Sequence, residues 1–319
     1  MPCILLEVMQ FLSPSDLLLG VTTVSRYLHE IATNEALWEE FLTRLGEKKQ
    51  GKSAKEAYRH LASLYLPVLT CTVLSKFDLN SLSWSQTPLS VPVKLTYFMS
   101  IARLPDCHLF VTGANRPLDT FRIHSVSGYV TPLQSLPIYR NNIGLIRHCK
   151  AIYAFGGYES VYLASCEKYN IGTGKWEALP EALSPRASFN PTVHRSWIYL
   201  IGGWSSGECE VFDTTSETFA LLALTLPPNA FVCSWWDCDT LICIEKSGLY
   251  CWSEGSEQTW KCTKRAFNLG VVPWSSFKVT KYRGFLYLLE IFSCKIVKMD
   301  LRTYEHWDLQ IPSLGASFK

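Results

Sequence analysis

No stretch of this 319-residue chain approaches the ~18 consecutive apolar residues that a membrane-spanning helix needs, so no bilayer span is expected. Charge is scarce too. Asp, Glu, Lys and Arg make up 18% of the residues and leave a formal net charge of +2, which predicts no strong attraction to nucleic acid or to an anionic membrane surface. Apolar residues reach 48%, a composition that excludes a disordered chain. The twelve cysteines are never arranged as C-x-x-C. Cys233, Cys238 and Cys243 fall at five-residue steps with no histidine near them, which does not fit a zinc site. Because Cys71, Cys233, Cys243 and Cys251 sit inside apolar runs, reduced buried thiols are expected, and with them a cytoplasmic or nuclear location. The Asn190-Pro191-Thr192 triplet is disqualified as a glycan acceptor by its proline. Glu7 and Gln10, with no basic flank, speak against a secretory signal. H-E-x-x-H and G-x-G-x-x-G are both missing and the histidines are dispersed, so no metal, cofactor or catalytic residue is expected.

What is present is an internal repeat. Ile152-Tyr153-Ala154-Phe155-Gly156-Gly157 recurs 46 residues later as Ile198-Tyr199-Leu200-Ile201-Gly202-Gly203. After each tract come an aromatic, a turn-former and a second large aromatic: Tyr169-Asn170 then Trp176, and Phe212-Asp213 then Phe219. A period in the forties, built from short apolar runs that close in glycine, predicts a β-propeller rather than a helical solenoid. The aromatic pair marks a hairpin of two outer strands, with large side chains packing between blades. Further copies are Phe77-Asp78 with Trp84, Ile123 with Val130, Trp252-Ser253 with Trp260, and Met299-Asp300 with Trp307. Apolar inner strands precede most of them, at 109–112, 152–155, 198–201, 241–244 and 285–289. Six copies predict a mainly β chain with a six-bladed wheel. The first copy lacks an inner strand of its own, so residues 311–319 are expected to return and complete it.

Four apolar residues, Gly-Gly, then spaced Tyr and Trp: this pattern resembles the kelch repeat. The resemblance is strong over residues 150–225, keeps one glycine at Val111-Thr112-Gly113-Ala114, and loses both in the last two copies. A WD-repeat wheel is the competing reading. Its Trp-Asp pairs, Trp236-Asp237 and Trp307-Asp308, do not share the repeat's spacing, and Gly-His never occurs.

Residues 1 to about 65 read as helix. Ile4, Leu5, Val8, Phe11 and Leu12 recur at helical spacing. Ser13-Pro14-Ser15-Asp16 supplies an N-cap, a proline at the first helical position and an acid near the positive helix end. Leu17, Leu18 and Val21, then Val24, Tyr27, Leu28 and Ile31, then Leu37, Trp38, Phe41 and Leu42 form further apolar faces. The run Phe11-Leu12, Pro14-x-Asp16-Leu17-Leu18, Val24-Ser25-Arg26-Tyr27 and Asn34 before Leu37-Trp38 resembles an F-box. It departs from that pattern in Pro2, one position too close to Phe11-Leu12, and in Tyr27, where tryptophan is usual. So small a head cannot bury all these faces alone, which calls for a partner. A lysine-rich linker (46–52) and a capping box, Ser53-Ala54-Lys55-Glu56, lead into a helix expected to buttress the propeller. The expected division is 1–44 F-box-like helical domain, 45–66 linker and buttressing helix, and 67–319 propeller.

Two literal matches to catalytic motifs fail on context. Residues 46–53 fit a P-loop but follow a helix and precede an all-β body; Gly203–Gly207 fit G-x-S-x-G but use a repeat glycine with no helix after it. The Asp237/Asp239 pair reads as a solvated loop. The combined resemblance implies a non-catalytic substrate receptor of an SCF-type cullin–RING ubiquitin ligase. It further implies that Leu5, Val8, Phe11, Leu12, Pro14, Leu17, Leu18, Val24, Arg26, Tyr27 and Trp38 dock a Skp-type adaptor while the propeller binds a protein target. Arginine and exposed aromatics dominate binding hot spots. Arg116, Arg140, Asn141, Tyr158, Arg186 and Trp204 are therefore the expected target residues, and matching positions of Arg140 and Arg186 predict a basic rim for an acidic or phosphorylated target. The alternatives are a kelch-fold oxidase of the galactose-oxidase type, with a tyrosine, cysteine and histidine set at the wheel centre, or a scaffold whose F-box is vestigial.

Overall fold

The computed structural model of the chain describes Glu39 and residues 65–309 except 71, 80–81, 94–98, 105–106, 114–119, 226–232, 238–239, 246–247, 254–260, 266–276, 283–284, 291–294 and 304. The F-box-like head with all its expected adaptor contacts, the linker, the buttressing helix, Arg116, Trp260 and the tail at 311–319 lie outside the described residues.

The described residues form six consecutive antiparallel sheets. The first holds β1 (Tyr65–Leu69), β2 (Val73–Asp78) and β3 (Ser83–Pro88). The second holds β4 (Ser100–Arg103), β5 (His108–Thr112), β6 (Thr120–His124) and β7 (Val130–Pro132). In the third, β8 (Gly144–His148) and β9 (Ala151–Phe155) are followed by a separate hairpin of β10 (Tyr158–Glu159) and β11 (Val161–Tyr162), then by β12 (Cys166–Asn170) and β13 (Lys175–Leu179). The fourth holds β14 (Thr192–His194), β15 (Trp197–Leu200), β16 (Glu208–Asp213) and β17 (Thr218–Thr225). The fifth holds β18 (Cys233–Asp237), β19 (Thr240–Glu245), β20 (Gly248–Ser253) and β21 (Lys261–Arg265). The sixth holds β22 (Phe277–Tyr282), β23 (Phe285–Glu290), β24 (Lys295–Asp300) and β25 (His306–Leu309). Neighbouring strands in each sheet follow the chain, so every sheet is a meander, an arrangement consistent with a β-propeller.

The expected inner strands are β5, β9, β15, β19 and β23, each the second strand of its sheet. A further strand precedes each of them, and the sequence reading missed it because stretches such as Ser100–Arg103 and Thr192–His194 are short and mixed in polarity. In the first sheet the buried β1 takes that second-strand role, so this copy does have an inner strand of its own, contrary to expectation; it begins two residues before the expected start of the propeller at 67.

The second strands read as unbroken apolar runs because both faces of each sheet are covered. β5 and β9 are buried over their last four residues, whereas β3, at an outer edge, is mostly exposed. A separate hydrophobic cluster lies between each sheet and the next. Tyr65 and Leu69 meet Leu109 and Phe121; Phe110 meets Ile152, Tyr169 and Trp176; Tyr153 and Phe155 meet Ile198 and Phe212. Tyr199 and Ile201 meet Leu241 and Cys243, and Ile242 and Ile244 meet Leu286 and Leu288. The sixth cluster joins the ends of the series, with Leu66 and Phe77 packed on Tyr287, Leu289 and Ile296. The aromatic pairs thus pack backwards onto the preceding sheet. Trp176 adds hydrogen bonds to the third-to-second contact, its backbone N–H donating to Gln134 Oε1 and its Nε1 to Gln134 O, both at 2.9 Å.

The expected aromatic pairs face one another directly in three sheets: Phe77 opposite Trp84, Tyr169 opposite Trp176, and Phe212 opposite Phe219. Ile123 lies opposite Val130 in the same way. In the sixth sheet the expectation fails by one residue. Met299 faces His306, and Trp307 lies opposite Lys298 on the other face, 46% exposed. The cause is turn length: all these hairpins turn through four residues, and a partner eight residues on is one too far. Side-chain oxygens cap the turns as expected, Asn170 Oδ1 accepting from Gly172 N (2.9 Å), Asp213 Oδ1 from Thr215 N (2.8 Å) and Asp300 Oδ1 from Arg302 N (2.7 Å). The fourth turn residue is left-handed: Gly128 and Gly174 in two turns, but Leu82 (φ 52°) and Glu217 (φ 55°) in two others. Leu82 is exposed, so its side chain contributes little there. Leu82→Gly should remove about 1 kcal/mol of left-handed strain and raise the melting temperature by about 2–4 °C in a thermal scan.

Candidate functional site

Arg140 and Arg186 precede β8 and β14 at matching positions in successive sheets, as the sequence predicts. Their surroundings differ from the expected rim. Both guanidinium groups are fully buried and turned inward. Arg140 Nη1 donates to Ser165 Oγ at 2.8 Å and to Glu167 Oε1 at 3.0 Å, and Nη2 pairs with Glu167 Oε2. Arg186 pairs with Glu210 through Nη2 and donates from Nη1 to the carbonyls of Glu208 (2.9 Å) and Gly202 (3.0 Å). Glu210 also accepts the backbone N–H groups of Leu183 (2.8 Å) and Ser184 (2.9 Å). Burial draws the Arg140 pKa down to about 10, which leaves it charged at neutral pH. These arginines hold loops to strands and cannot reach a target; the expected basic rim is corrected on that ground.

The pins work together with the repeat glycines. Gly157 N donates to Arg186 O at 2.8 Å, tying the third sheet to the fourth. Gly156 has φ 56°, and a Cβ there would stand 2.2 Å from Arg186 O, so only glycine fits. Within each sheet the loop after the arginine pairs with the loop after the glycines. Asn141 and Tyr158 exchange backbone hydrogen bonds of 3.1 and 2.8 Å, and Ala187 and Trp204 exchange bonds of 3.3 and 2.8 Å.

What this frame presents outward is the β10–β11 hairpin. Tyr158 faces Tyr162 and Glu159 faces Val161, with Ser160 alone at the tip in a left-handed conformation (φ 61°). All five residues are exposed, and the two tyrosine rings contact each other at 5.3 Å. Of the expected target residues, Tyr158 is exposed, Asn141 and Trp204 are half-buried and backbone-paired, and Arg140 and Arg186 are buried. Val161 and Tyr162, the other strand of this hairpin, are not among the residues expected from sequence. A β-branched residue and a tyrosine directly after a tight turn were the available signal.

A cavity of about 290 Å³ lies between the first strands of the second to fifth sheets and β23. Ser100, Ile101, Leu145, Thr192, Ser234, Trp235 and Leu286 line it with Ile143, Asn190 and Pro191. No tyrosine, cysteine or histidine is among these described lining residues, so the oxidase-type set is not assembled on them. Ser205 sits in a strand-to-strand connection between β15 and β16, not in a strand-to-helix elbow. Burial pushes the Cys166 thiol up to about 12 and that of Cys209 up to about 11, which keeps both protonated.

Because Glu210 is buried and fully engaged, Arg186→Ala should strand a carboxylate in the interior. A loss of about 3–5 kcal/mol follows from removing one partner of such a pair. Chemical denaturation should show a lower midpoint; an unchanged midpoint would mean that Glu210 is solvated or neutral.

Family models match this chain at two places, an F-box-like domain over residues 2–44 and a Kelch motif over residues 140–182. The Kelch match spans the arginine loop, both glycines, the β10–β11 hairpin and the Tyr169/Trp176 pair of the third sheet. Among curated proteins, "Kelch-like protein 41a" of Danio rerio is 26% identical over 138 residues, covering 42% of this chain and 23% of that protein. The chain is thus similar to F-box-like domains over residues 2–44 and to Kelch motifs within the β body.

Proposed function

We propose that this chain is the substrate-recognition subunit of an SCF-type cullin–RING ubiquitin ligase. The observation that carries the proposal is the presence of F-box-like and Kelch matches in one chain. The head docks a Skp-type adaptor through the apolar faces of Leu5, Val8, Phe11, Leu12, Leu17, Leu18, Val24 and Trp38, with Pro14, Arg26 and Tyr27 around them. The six sheets close into a six-bladed wheel, a reading supported by the packing of the sixth sheet on the first. The wheel's loop face holds the target. Such a chain performs no bond chemistry; it raises the effective concentration of the target near the ubiquitin-carrying enzyme. Its place of action is the cytoplasm or nucleus.

Leu17→Ala with Leu18→Ala should abolish co-purification of the Skp-type adaptor while the β body stays folded, since each truncation removes about 2–5 kcal/mol if the side chain is buried. Undiminished adaptor recovery would overturn the proposal. The first sheet has three strands among the described residues and the others four, apart from the extra hairpin. The segment 311–319 is proposed as its missing innermost strand. Deleting it should lower the melting temperature or the solubility by exposing a strand edge; a chain that melts where the full one does would show that the tail does not close the wheel.

A further inference from the structure

The geometry points to the β10–β11 hairpin and its flanking loops as a docking site for an extended protein segment that sets a lysine or arginine among apolar side chains. The inference rests on the reading of the β body as the part that holds a target, and it reverses the charge of the target expected from sequence.

Backbone hydrogen bonds gather three loops here. Asn141 bonds to Tyr158 on one side of the hairpin, while Arg186 N donates to Leu163 O (3.1 Å) and Ala182 N to Ala164 O (2.9 Å) on the other. Ile138, Tyr158, Val161, Tyr162 and Leu183 are thereby brought into one region. They are five of the eleven large apolar side chains exposed among the described residues, with Val161 at 61% and Leu183 at 54%. A concentration of this kind, edged by polar groups, marks an interaction surface rather than the ordinary scatter of exposed apolar residues.

Charge selects the occupant. Residues 137–142, 157–165 and 180–188 contain two cations, Arg140 and Arg186, and two anions, Glu159 and Glu181. Both cations are fully buried and paired inward, whereas Glu159 and Glu181 are exposed. A third exposed carboxylate, Glu208, accepts a hydrogen bond from Ser184 beside Leu183. Among the described residues of the region, the outward charge is therefore negative. The paired rings of Tyr158 and Tyr162 complement this, because a tyrosine face attracts an ammonium or guanidinium group. An apolar segment with one cation can fill the apolar surface, lay its charge on the rings and reach Glu159.

The test uses the full chain and three sets of short synthetic peptides with the same apolar residues and a variable charged position: Lys or Arg, Asp or Glu, and phosphoserine. Binding is read by fluorescence anisotropy. The Lys/Arg set should bind, and at least about tenfold more tightly than the other two. Glu159→Lys should weaken it by about tenfold, and Tyr158→Ala with Tyr162→Ala by at least as much, with thermal melts unchanged because these side chains are exposed. Preference for the acidic or phosphoserine peptides, binding of no set, or affinity indifferent to these substitutions would each overturn the inference. So would self-association of the chain that Tyr162→Ala abolishes, since the surface would then belong to a second copy. Adaptor capture by the same Glu159→Lys chain is measured separately: its loss in wild type as well would count against the ligase reading and not against the hairpin.

Discussion

Each sheet has to bury both of its faces, and most of this architecture follows from that requirement. A strand pinned between two neighbours has no polar side to give to solvent, so β5, β9 and β15 carry near-continuous apolar residues. The outer hairpins send a pair of large side chains back onto the preceding sheet, as Tyr169 and Trp176 do onto Phe110. Phe77 and Trp84 of the first sheet have no earlier sheet to lean on, and they pack with Tyr287 and Leu289 of the last. Burial falls toward the outer strands, where polar residues return.

At one end of the sheets the same crowding is handled with charge. Loops that approach a glycine-rich bend within hydrogen-bond distance leave no room for side chains, and a buried guanidinium reaching a carboxylate on the third strand secures them. Such a pair is a weak source of net stability, because desolvation offsets much of the attraction, yet removing one partner leaves a buried charge exposed to no compensation. Its effect is positional: Arg140 and Arg186 hold their loops so that the hairpin between them stands out from the surface.

Among the described residues, the β10–β11 hairpin stands out from this frame as an exposed aromatic surface. The described residues of the region present tyrosines, aliphatic side chains and carboxylates, while Arg140 and Arg186 face inward. Exposed aromatics give contact area at low entropic cost. The F-box-like match lies at the other end of the chain, over residues 2–44.

The 46-residue spacing of two glycine-ended tracts was enough to predict a sheet-repeat body, because a period of that length with aromatic pairs has few other packings. The turn chemistry at Asn170 and Asp213 was legible for the same local reason, and so was the equivalence of Arg140 and Arg186. The first strands of the sheets were not, since short mixed segments acquire strand pairing only from the neighbour that follows. Nor was the register of Met299, which faces His306 once the turn closes in four residues. The largest reversal concerned the arginines. By itself the sequence determined that two guanidinium groups recur in one loop position; tertiary structure decided which way they point, because Glu167 and Glu210 come from strands 27 and 24 residues further along and meet them only in the folded sheet.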